Sequence, residues 1–254
     1  MDIISSGALG SGAIDVSIII PAFNEERRLP PFLVQVIDYC ALSKKTYEII
    51  VVDDGSHDNT SQSVMSLQSR FPRLRLIRNK KNRGKGFSIR RAIRLAKGQA
   101  YLYLDADGSV GPYEIERNLR YIVDDGFDII VGSRVLRDNA QILRTKLHRR
   151  LMGAVFNFVV RTILFKGIKD TQCGFKIFKA EVGQRLFSIV RIKRFGFDIE
   201  LLFLAYKLGY KIKEVPVSWR HIPGSKVNLL SDSLRMLRDI WEVKRNYSRL
   251  RVDK

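Results

Sequence analysis

The chain has 254 residues, of which 45% are hydrophobic and 28% are charged. This composition excludes an intrinsically disordered protein, and the length fits one large α/β domain. The formal net charge of +19 predicts an anionic partner: nucleic acid, an anionic lipid surface or a phosphorylated substrate. Two cysteines, Cys40 and Cys173, are too few for a disulfide framework, so we expect free thiols in a reducing compartment.

No segment of the sequence has the length and apolarity of a transmembrane helix. The most apolar window, 151–165, contains Gly153, Asn157 and Arg161 and is shorter than the roughly 20 residues that a span requires. Residues 1–14 are rich in Gly and Ser and show no secretory signal, so we expect a flexible tail there. We expect one α/β domain over residues 15–228 and a basic amphipathic helix in 229–254 that packs on or beside it.

Short apolar, β-branched runs alternate with helical patterns through the first half of the chain. The apolar runs predict strands at residues 16–20, 47–52, 74–78 and 101–104. The helical spacing of apolar residues predicts helices at 28–42, 59–71 and 87–96. This alternation is typical of βαβ units, so we predict an α/β fold with a mostly parallel central sheet flanked by helices.

The second half of the chain is less regular. Apolar runs predict strands at 127–131, 175–178 and 213–219, and the helical patterns predict an amphipathic helix at 147–165 and a C-terminal helix at 231–247.

Polar clusters follow each of the first four predicted strands, at residues 22–26, 53–58, 79–86 and 105–109. In a parallel α/β sheet, ligands bind beyond the carboxyl ends of the strands. We therefore expect these four clusters to form one site.

The motif Asp105-Ala106-Asp107 ends an apolar strand and is the strongest chemical signal in the chain. Two carboxylates one residue apart can both turn toward a divalent cation, and hard oxygen ligands suit Mg²⁺ or Mn²⁺ bridging diphosphate oxygens. Because Gly108 follows, a simple Asp-Gly turn remains the alternative interpretation of this motif alone.

Two further clusters suit a nucleotide. The carboxylates of Asp53 and Asp54 can accept hydrogen bonds from a base or a ribose. The stretch 82–86 offers two glycines and two cations, Arg83 and Lys85, before a helix, which favours phosphate oxygens. Neither a Walker A loop nor a G-x-G-x-x-G motif is present, so we do not expect a dinucleotide cofactor.

Taken together, the motifs resemble the family 2 glycosyltransferases of GT-A fold. The matching segments, in order, are I-I-I-P-A-F-N-E-E, V-V-D-D-G-S, N-R-G-K-G and D-A-D-G. Further on, G-S-R, D-T-Q-C-G-F-K, F-D-I-E-L and the segment 219–226 resemble a narrower group, the polyprenyl-phosphate sugar synthases. The resemblance extends from about Val16 to Tyr247.

The resemblance implies donor-binding roles for matching positions. The nucleoside would be held by Pro21, Phe23, Glu25 and Asp53, with Asp54 in support. Lys85 would lie near the donor, and Asp105 and Asp107 would hold the metal and the diphosphate. Ser109 stands where mannosyl-phosphate synthases have a Gln that helps to bind the metal.

The resemblance also implies acceptor-side roles. The acceptor phosphate or the leaving diphosphate would be met by Arg134, Arg220 and Lys226. Asp198 and Glu200 lie where relatives that act on hydroxyl acceptors keep a base. With a phosphate acceptor, we interpret both carboxylates as groups that orient nearby Arg and Lys side chains.

The implied activity is the metal-dependent, inverting transfer of a hexose from a nucleotide-sugar to a polyprenyl or dolichyl phosphate. UDP-glucose is the expected donor, and GDP-mannose is the alternative. A sugar nucleotidyltransferase or a nucleic-acid-binding protein is a more distant alternative, although acidic clusters at strand ends repel nucleic acid.

The acceptor implies work at the cytoplasmic face of a membrane as a peripheral protein. The basic stretch 134–150 runs into an apolar-rich segment that ends at Phe165, a pattern typical of a segment that lies in the interface of an anionic membrane. A core helix with a solvated basic flank is the alternative.

Overall fold

The computed structural model describes residues 4–5, 14–136, 167–224 and 229–247. Within these ranges the strands are β1 (Ile4–Ser5), β2 (Val16–Ala22), β3 (Tyr47–Asp53), β4 (Leu74–Arg78), β5 (Ala100–Leu104), β6 (Ile129–Ser133), β7 (Phe175–Lys179) and β8 (Ile212–Pro216). The described helices are α1 (Leu29–Leu42), α2 (Thr60–Met65), α3 (Lys85–Ile93), α4 (Glu114–Val123), α5 (Ala180–Ile189), α6 (Phe197–Lys207) and α7 (Leu229–Tyr247).

The strands form one sheet in the order β1-β4-β3-β2-β5-β7-β6-β8. Strands β4, β3, β2 and β5 are parallel, as are β6 and β8, whereas β7 runs antiparallel between β5 and β6. The predicted α/β fold with a mostly parallel central sheet flanked by helices is therefore confirmed. Because parallel strands end at one edge, the loops that follow β2, β3, β4 and β5 meet there.

Apolar side chains are buried on both faces of the sheet. On one face, α1 and α4 contribute residues such as Leu33, Val36 and Ile115. On the other, α3, α5, α6 and α7 pack through residues that include Ile89 and Leu186. Burial on both faces explains the continuous apolar runs from which the strands were predicted.

The strands of the first half begin and end within about two residues of their predicted bounds, as expected from burial on both faces. One predicted helix, 59–71, is too long, since α2 ends at Met65. Beyond it, Leu67, Gln68 and Arg70 donate to carbonyls three residues back, so the chain tightens into turns. Helices α4, α5 and α6 and the antiparallel course of β7 were not predicted.

Several predictions concern residues outside the described ranges. The predicted helix 147–165 and most of the basic stretch 134–150 lie there. Within the expected N-terminal tail, Ile4 and Ser5 pair with Ile77 and Leu76 of β4, so this part of the segment is a strand. In the part of the chain that the structure describes, no helix is long and apolar enough to cross a bilayer.

Candidate active site

Asp105 follows β5 and forms an ion pair with Lys85, the first residue of α3. Oδ1 of Asp105 lies 2.6 Å from Nζ of Lys85. Burial alone would lower the pKa of Lys85, but nearby carboxylates, Asp105 first, raise it above its ordinary value. Burial would likewise raise the pKa of Asp105, which Lys85 and then Lys176 and Arg134 lower. Both groups therefore carry their charges at neutral pH. The Asp105 side chain is also partly open to solvent, with 39% of it exposed.

A glycine makes room for the Asp105 carboxylate. The backbone N–H of Asp105 donates to the carbonyl of Gly174 at 3.1 Å. A Cβ at position 174 would overlap the carboxylate of Asp105, so no residue with a side chain fits there without displacing it. Because β7 is antiparallel, the loop that precedes it reaches the same edge of the sheet as the end of β5.

Asp107 lies in the same turn and has different partners. Its Oδ1 accepts the backbone N–H of Ser109 at 2.9 Å, and its Oδ2 lies 3.9 Å from Nη1 of Arg28. About a quarter of the side chain, 26%, is exposed. The two carboxylates of the motif are thus not equivalent, because Asp105 pairs with an ammonium at 2.6 Å, whereas the guanidinium of Arg28 lies 3.9 Å from Asp107.

This donor set fits Mg²⁺ or Mn²⁺ with the help of a substrate. Carboxylate oxygens are the ligands that these hard cations prefer, and Mg²⁺ commonly combines one or two carboxylates with substrate phosphates. Among the described residues, no group of three or more His, Cys, Asp or Glu side chains could hold an ion by itself. Water and the phosphate oxygens of a substrate would complete the coordination.

Asp53 and Asp54, at the end of β3, organise the neighbouring loops. Buried Asp53 accepts the backbone N–H of Ser56 at 2.8 Å and the hydroxyl of Ser61. Asp54 accepts the backbone N–H groups of Arg83 and Gly84 at 2.9 and 2.7 Å. Asp54 thereby shapes the loop before α3 and sets the position of Lys85, and its expected support of the nucleoside stays a prediction.

The other residues expected at the nucleoside lie at the end of β2. Pro21 pairs with Val52 in the sheet, and the ring of Phe23 meets His57 edge-on at 6.4 Å. The backbone N–H of Glu25 donates to Thr60 at 2.7 Å. The segments that follow β2 and β3 are thus joined into one wall of the site.

Arg28 is a site residue that the sequence reasoning missed. Its Nε and Nη2 donate to the two carboxylate oxygens of Glu25 at 2.7 and 2.5 Å, while Nη1 faces Asp107. Burial would lower the pKa of Arg28, but Glu25, and then Asp107 and Asp105, raise it. Arg28 therefore links the expected nucleoside wall to the Asp105-Ala106-Asp107 motif. The only sequence signal is an Arg three residues after Glu25, just before α1.

Arg134, after β6, is held by the fully buried Asp170. Its Nε and Nη2 donate to the carboxylate at 2.7 and 2.8 Å, and its backbone N–H donates at 2.9 Å. Burial would raise the pKa of Asp170, but Arg134 lowers it. Since 36% of the Arg134 side chain is exposed, a fixed, charged guanidinium is presented beside the site.

Asp198 lies in a buried network. Nζ of Lys176 donates to it at 2.8 Å and to the carbonyl of Cys173 at 2.9 Å, and the hydroxyl of Tyr103 also donates to Asp198. Lys176, a second residue that the sequence reasoning missed, is completely buried. Asp198 thus accepts a hydrogen bond from a Lys side chain, and its expected part in orienting cations at the acceptor stays a prediction.

Glu200 has different hydrogen-bond partners from Asp198. It accepts the backbone N–H groups of Arg191 and Ile192 and the hydroxyl of Tyr247 at 2.6 Å. Its partners are a loop and α7 rather than an Arg or Lys side chain. In this structure Glu200 holds the 191–192 turn and the C-terminal helix in place.

Arg220 lies in the segment after β8, whose backbone contacts the residues that follow Asp107. Its backbone N–H donates to the carbonyl of Ser109 at 2.9 Å, and Trp219 forms an antiparallel bridge with Val110. The Arg220 side chain is exposed. Lys226 lies outside the described residues, so its expected role stays a prediction.

Comparison with known proteins matches the chain to a family. The sequence model of Glycosyl transferase family 2 matches residues 17–187. Dolichyl-phosphate beta-glucosyltransferase of Dictyostelium discoideum is 39% identical over 245 residues, covering 92% of this chain and 75% of that protein. The human protein of the same name is 35% identical over 244 residues, covering 91% and 75%.

Solved structures share the fold at low sequence identity. Glucosyl-3-phosphoglycerate synthase from Mycobacterium tuberculosis, crystallised with Mn²⁺, UDP and glucosyl-3-phosphoglycerate, superposes with a TM-score of 0.65. It is 19% identical, and the match covers 95% of this chain and 81% of that one. The same synthase crystallised with Mg²⁺ and UDP gives a TM-score of 0.65 at 18% identity. The matched family, the relatives and the shared fold agree, and the chain belongs to the family 2 glycosyltransferases.

Proposed function

We propose that this enzyme transfers glucose from UDP-glucose to the phosphate of a dolichol or another polyprenol. The observation that carries the proposal is the edge of the sheet where Asp105 and Asp107 lie among Lys85, Arg28 and Arg134. Paired carboxylates surrounded by cations suit a diphosphate bound through a divalent ion. The names of the relatives supply the sugar and the lipid acceptor.

Asp107 would hold Mg²⁺ or Mn²⁺, with Asp105 in support. This division of roles follows from their partners, because Asp105 is already paired with Lys85 at 2.6 Å. When bound, the ion would neutralise charge on the diphosphate and make it a better leaving group. Lys85, fixed by Asp105, would place a second positive charge near the same phosphates.

The acceptor needs no general base, since a phosphate oxygen is already ionised at neutral pH. That oxygen would attack C1 of glucose and form the new C–O bond. The bond from C1 to the diphosphate would break, and UDP would leave with the electron pair. Attack from the face opposite the diphosphate would convert an α-linked donor into a β-linked product.

The side chains on the acceptor side support this scheme. Arg134, with its orientation fixed by Asp170, and Arg220 would align the acceptor phosphate, together with Lys226. Asp198 already accepts hydrogen bonds from Lys176 and Tyr103, which favours an orienting role over that of a base.

The enzyme would act at the cytoplasmic face of a membrane, to which the chain would bind peripherally. A polyprenyl phosphate keeps its tail in the bilayer and its phosphate at the headgroup level. The thiols of Cys40 and Cys173 are buried and unbridged, which fits a reducing compartment.

A panel of donors tests the proposal. The purified chain is incubated with UDP-glucose or GDP-mannose, with dolichyl phosphate and with Mn²⁺, Mg²⁺ or a chelator. We expect lipid-linked glucose only from UDP-glucose with a metal ion, and a β-anomeric linkage by NMR. Transfer of mannose from GDP-mannose alone would establish the alternative donor. Donor hydrolysis that is indifferent to added lipid phosphate would contradict the proposed acceptor.

A further inference from the structure

A surface of cations and exposed aromatic rings borders the site. It comprises part of the loop between α5 and α6 and the outer ridge of α7. Its exposed residues, here called the cationic-aromatic surface, are Arg191, Lys193, Arg194, Phe195, Arg238, Trp241, Lys244 and Arg245. Phe195 is 38% exposed and Trp241 is 61% exposed, which is high for a tryptophan in a folded domain.

The two parts of this surface are tied together. The carboxylate of Glu200 binds the N–H groups of Arg191 and Ile192 in the loop and the hydroxyl of Tyr247 in α7. Asp239 of α7 lies against Gly196, where an added Cβ would overlap its carboxylate. The loop and the helix therefore form one continuous surface.

The same loop also supports the segment that carries Lys85. The backbone N–H of Phe87 donates to the carbonyl of Lys193 at 3.1 Å. Gly84, with φ of +98°, approaches Lys193 so closely that a side chain would not fit. Since Lys85 pairs with Asp105, the cationic-aromatic surface lies next to the donor-binding edge of the sheet.

We propose that the cationic-aromatic surface binds an anionic lipid bilayer and so brings the site to the headgroup level. This inference rests on the proposed function, in which the acceptor is a lipid phosphate. The helical positions of Arg238, Trp241 and Arg245 are three and four residues apart and so share one face. Ile240, Val243 and Tyr247 are buried on the opposite face.

The chemistry of these side chains favours lipid headgroups. Within the described part of the chain, none of the surface's cations lies within ion-pair distance of a carboxylate, so their charges are open to an external anion. The guanidinium of Arg245 lies 4.7 Å from the ring of Trp241. Tryptophan beside Lys and Arg is typical of membrane interfaces, where an amphipathic ring sits at the headgroup level.

Vesicle binding tests the proposal. Wild-type protein is sedimented with phosphatidylcholine vesicles that do or do not contain phosphatidylserine, at increasing salt. One variant replaces Arg191, Arg194, Arg238 and Arg245 with Gln. The matched control replaces four cations at the opposite edge, before β3, β4 and β5, with Gln: Lys44, Lys45, Arg73 and Lys97.

We expect salt-sensitive binding to the anionic vesicles and a fall of at least about tenfold in affinity for the surface variant. The control should bind nearly as wild type. Equal binding by the wild type and the surface variant would overturn the proposal, as would wild-type binding to nucleic acid but not to vesicles.

Fluorescence gives a second, direct measurement, because Trp219 and Trp241 are the only two tryptophans. In a Trp219→Phe variant, emission from Trp241 should shift to the blue on adding anionic vesicles and should be quenched by brominated lipid. Sedimentation without any change in Trp241 emission would overturn the proposal.

Glucose transfer to a short, water-soluble polyprenyl phosphate separates the two hypotheses. The surface variant should retain this transfer. If the wild type does not catalyse it, the proposed function alone is contradicted.

Discussion

A guanidinium nitrogen of Arg28 lies 3.9 Å from a carboxylate oxygen of Asp107, although the two residues come from different loops of the sheet edge. The same guanidinium binds both oxygens of Glu25. One side chain thus contacts two carboxylates for which we propose roles in donor binding, and this gives the first prediction.

Arg28→Gln should weaken binding of UDP by about tenfold, because charge-assisted bonds to Glu25 and the charge near Asp107 are both lost. It should also raise the Mn²⁺ concentration needed for half-maximal transfer. Calorimetry with UDP and a metal titration of activity measure the two effects. The control is Arg27→Gln, since Arg27 is the exposed neighbour. Equal behaviour of the two variants would contradict the linking role.

Asp107→Asn should lower turnover roughly a hundredfold or more at saturating Mn²⁺, because a neutral amide is a poor ligand for a hard cation. The melting temperature should stay close to that of wild type, since Asp107 is partly exposed. The exposed Asp125→Asn variant is the matched control. Near wild-type turnover of Asp107→Asn would show that the metal is held elsewhere.

Substitution of Arg134 should affect both the acceptor and the fold. Arg134→Ala leaves the buried Asp170 without its guanidinium and should cost about 2 kcal/mol of unfolding free energy, a value reduced for the exposure of Arg134. Combining Arg134→Ala with Asp170→Asn should recover much of that stability but not the transfer to lipid phosphate.

Arg220→Ala tests the same acceptor role without a buried partner, because its side chain is exposed. It should impair transfer more than UDP binding. Equal losses of transfer and of UDP affinity would assign this arginine to the donor instead.

Glu200 should be a structural residue. Glu200→Gln weakens the bonds to the 191–192 turn and to Tyr247 and should cost about 2 kcal/mol in urea unfolding. A double-mutant cycle with Tyr247→Phe should show coupling between the two residues, whose oxygens are 2.6 Å apart. Transfer measured well below the melting temperature should fall little. A large loss of turnover with unchanged stability would point to a direct part in catalysis.

Asp239 should make stability depend on pH. Burial, with Glu242 and Glu200 nearby, raises its pKa from 3.8 to about 6, and Arg238 opposes the shift. A raised carboxyl pKa contributes stability that is complete below pH 3.8 and is lost as the pH rises through about 6. Asp239→Asn should therefore raise the melting temperature at pH 7 to 8, where wild type carries the half-buried charge. At low pH the two proteins should melt alike, and a gain that is independent of pH would contradict this explanation.

The strand ends could be predicted from the sequence because four apolar runs are each closed by a polar cluster, and the rule for parallel sheets then brings Asp53, Lys85 and Asp105 together. The pairs Arg28–Asp107 and Arg134–Asp170 could not be predicted from the sequence. Each pair joins two loops that come close together only in the completed fold. Helix α6 was missed for a different reason. Residues 197–205 are all buried, so the helix lacks the apolar stripe from which amphipathic helices are recognised.

The antiparallel course of β7 has a consequence for how the enzyme reaches its active form. Asp105, Arg134, Asp170 and Gly174 come together only after β7 has been inserted between β5 and β6, two strands that both lie well before it in the chain. Contacts of such high sequence separation form slowly, because loop-closure entropy is lost before they contribute. Donor binding should therefore be among the last properties to appear during refolding. UDP should therefore slow the unfolding of the folded protein. When it is added during refolding, UDP should not accelerate the first collapse of the chain.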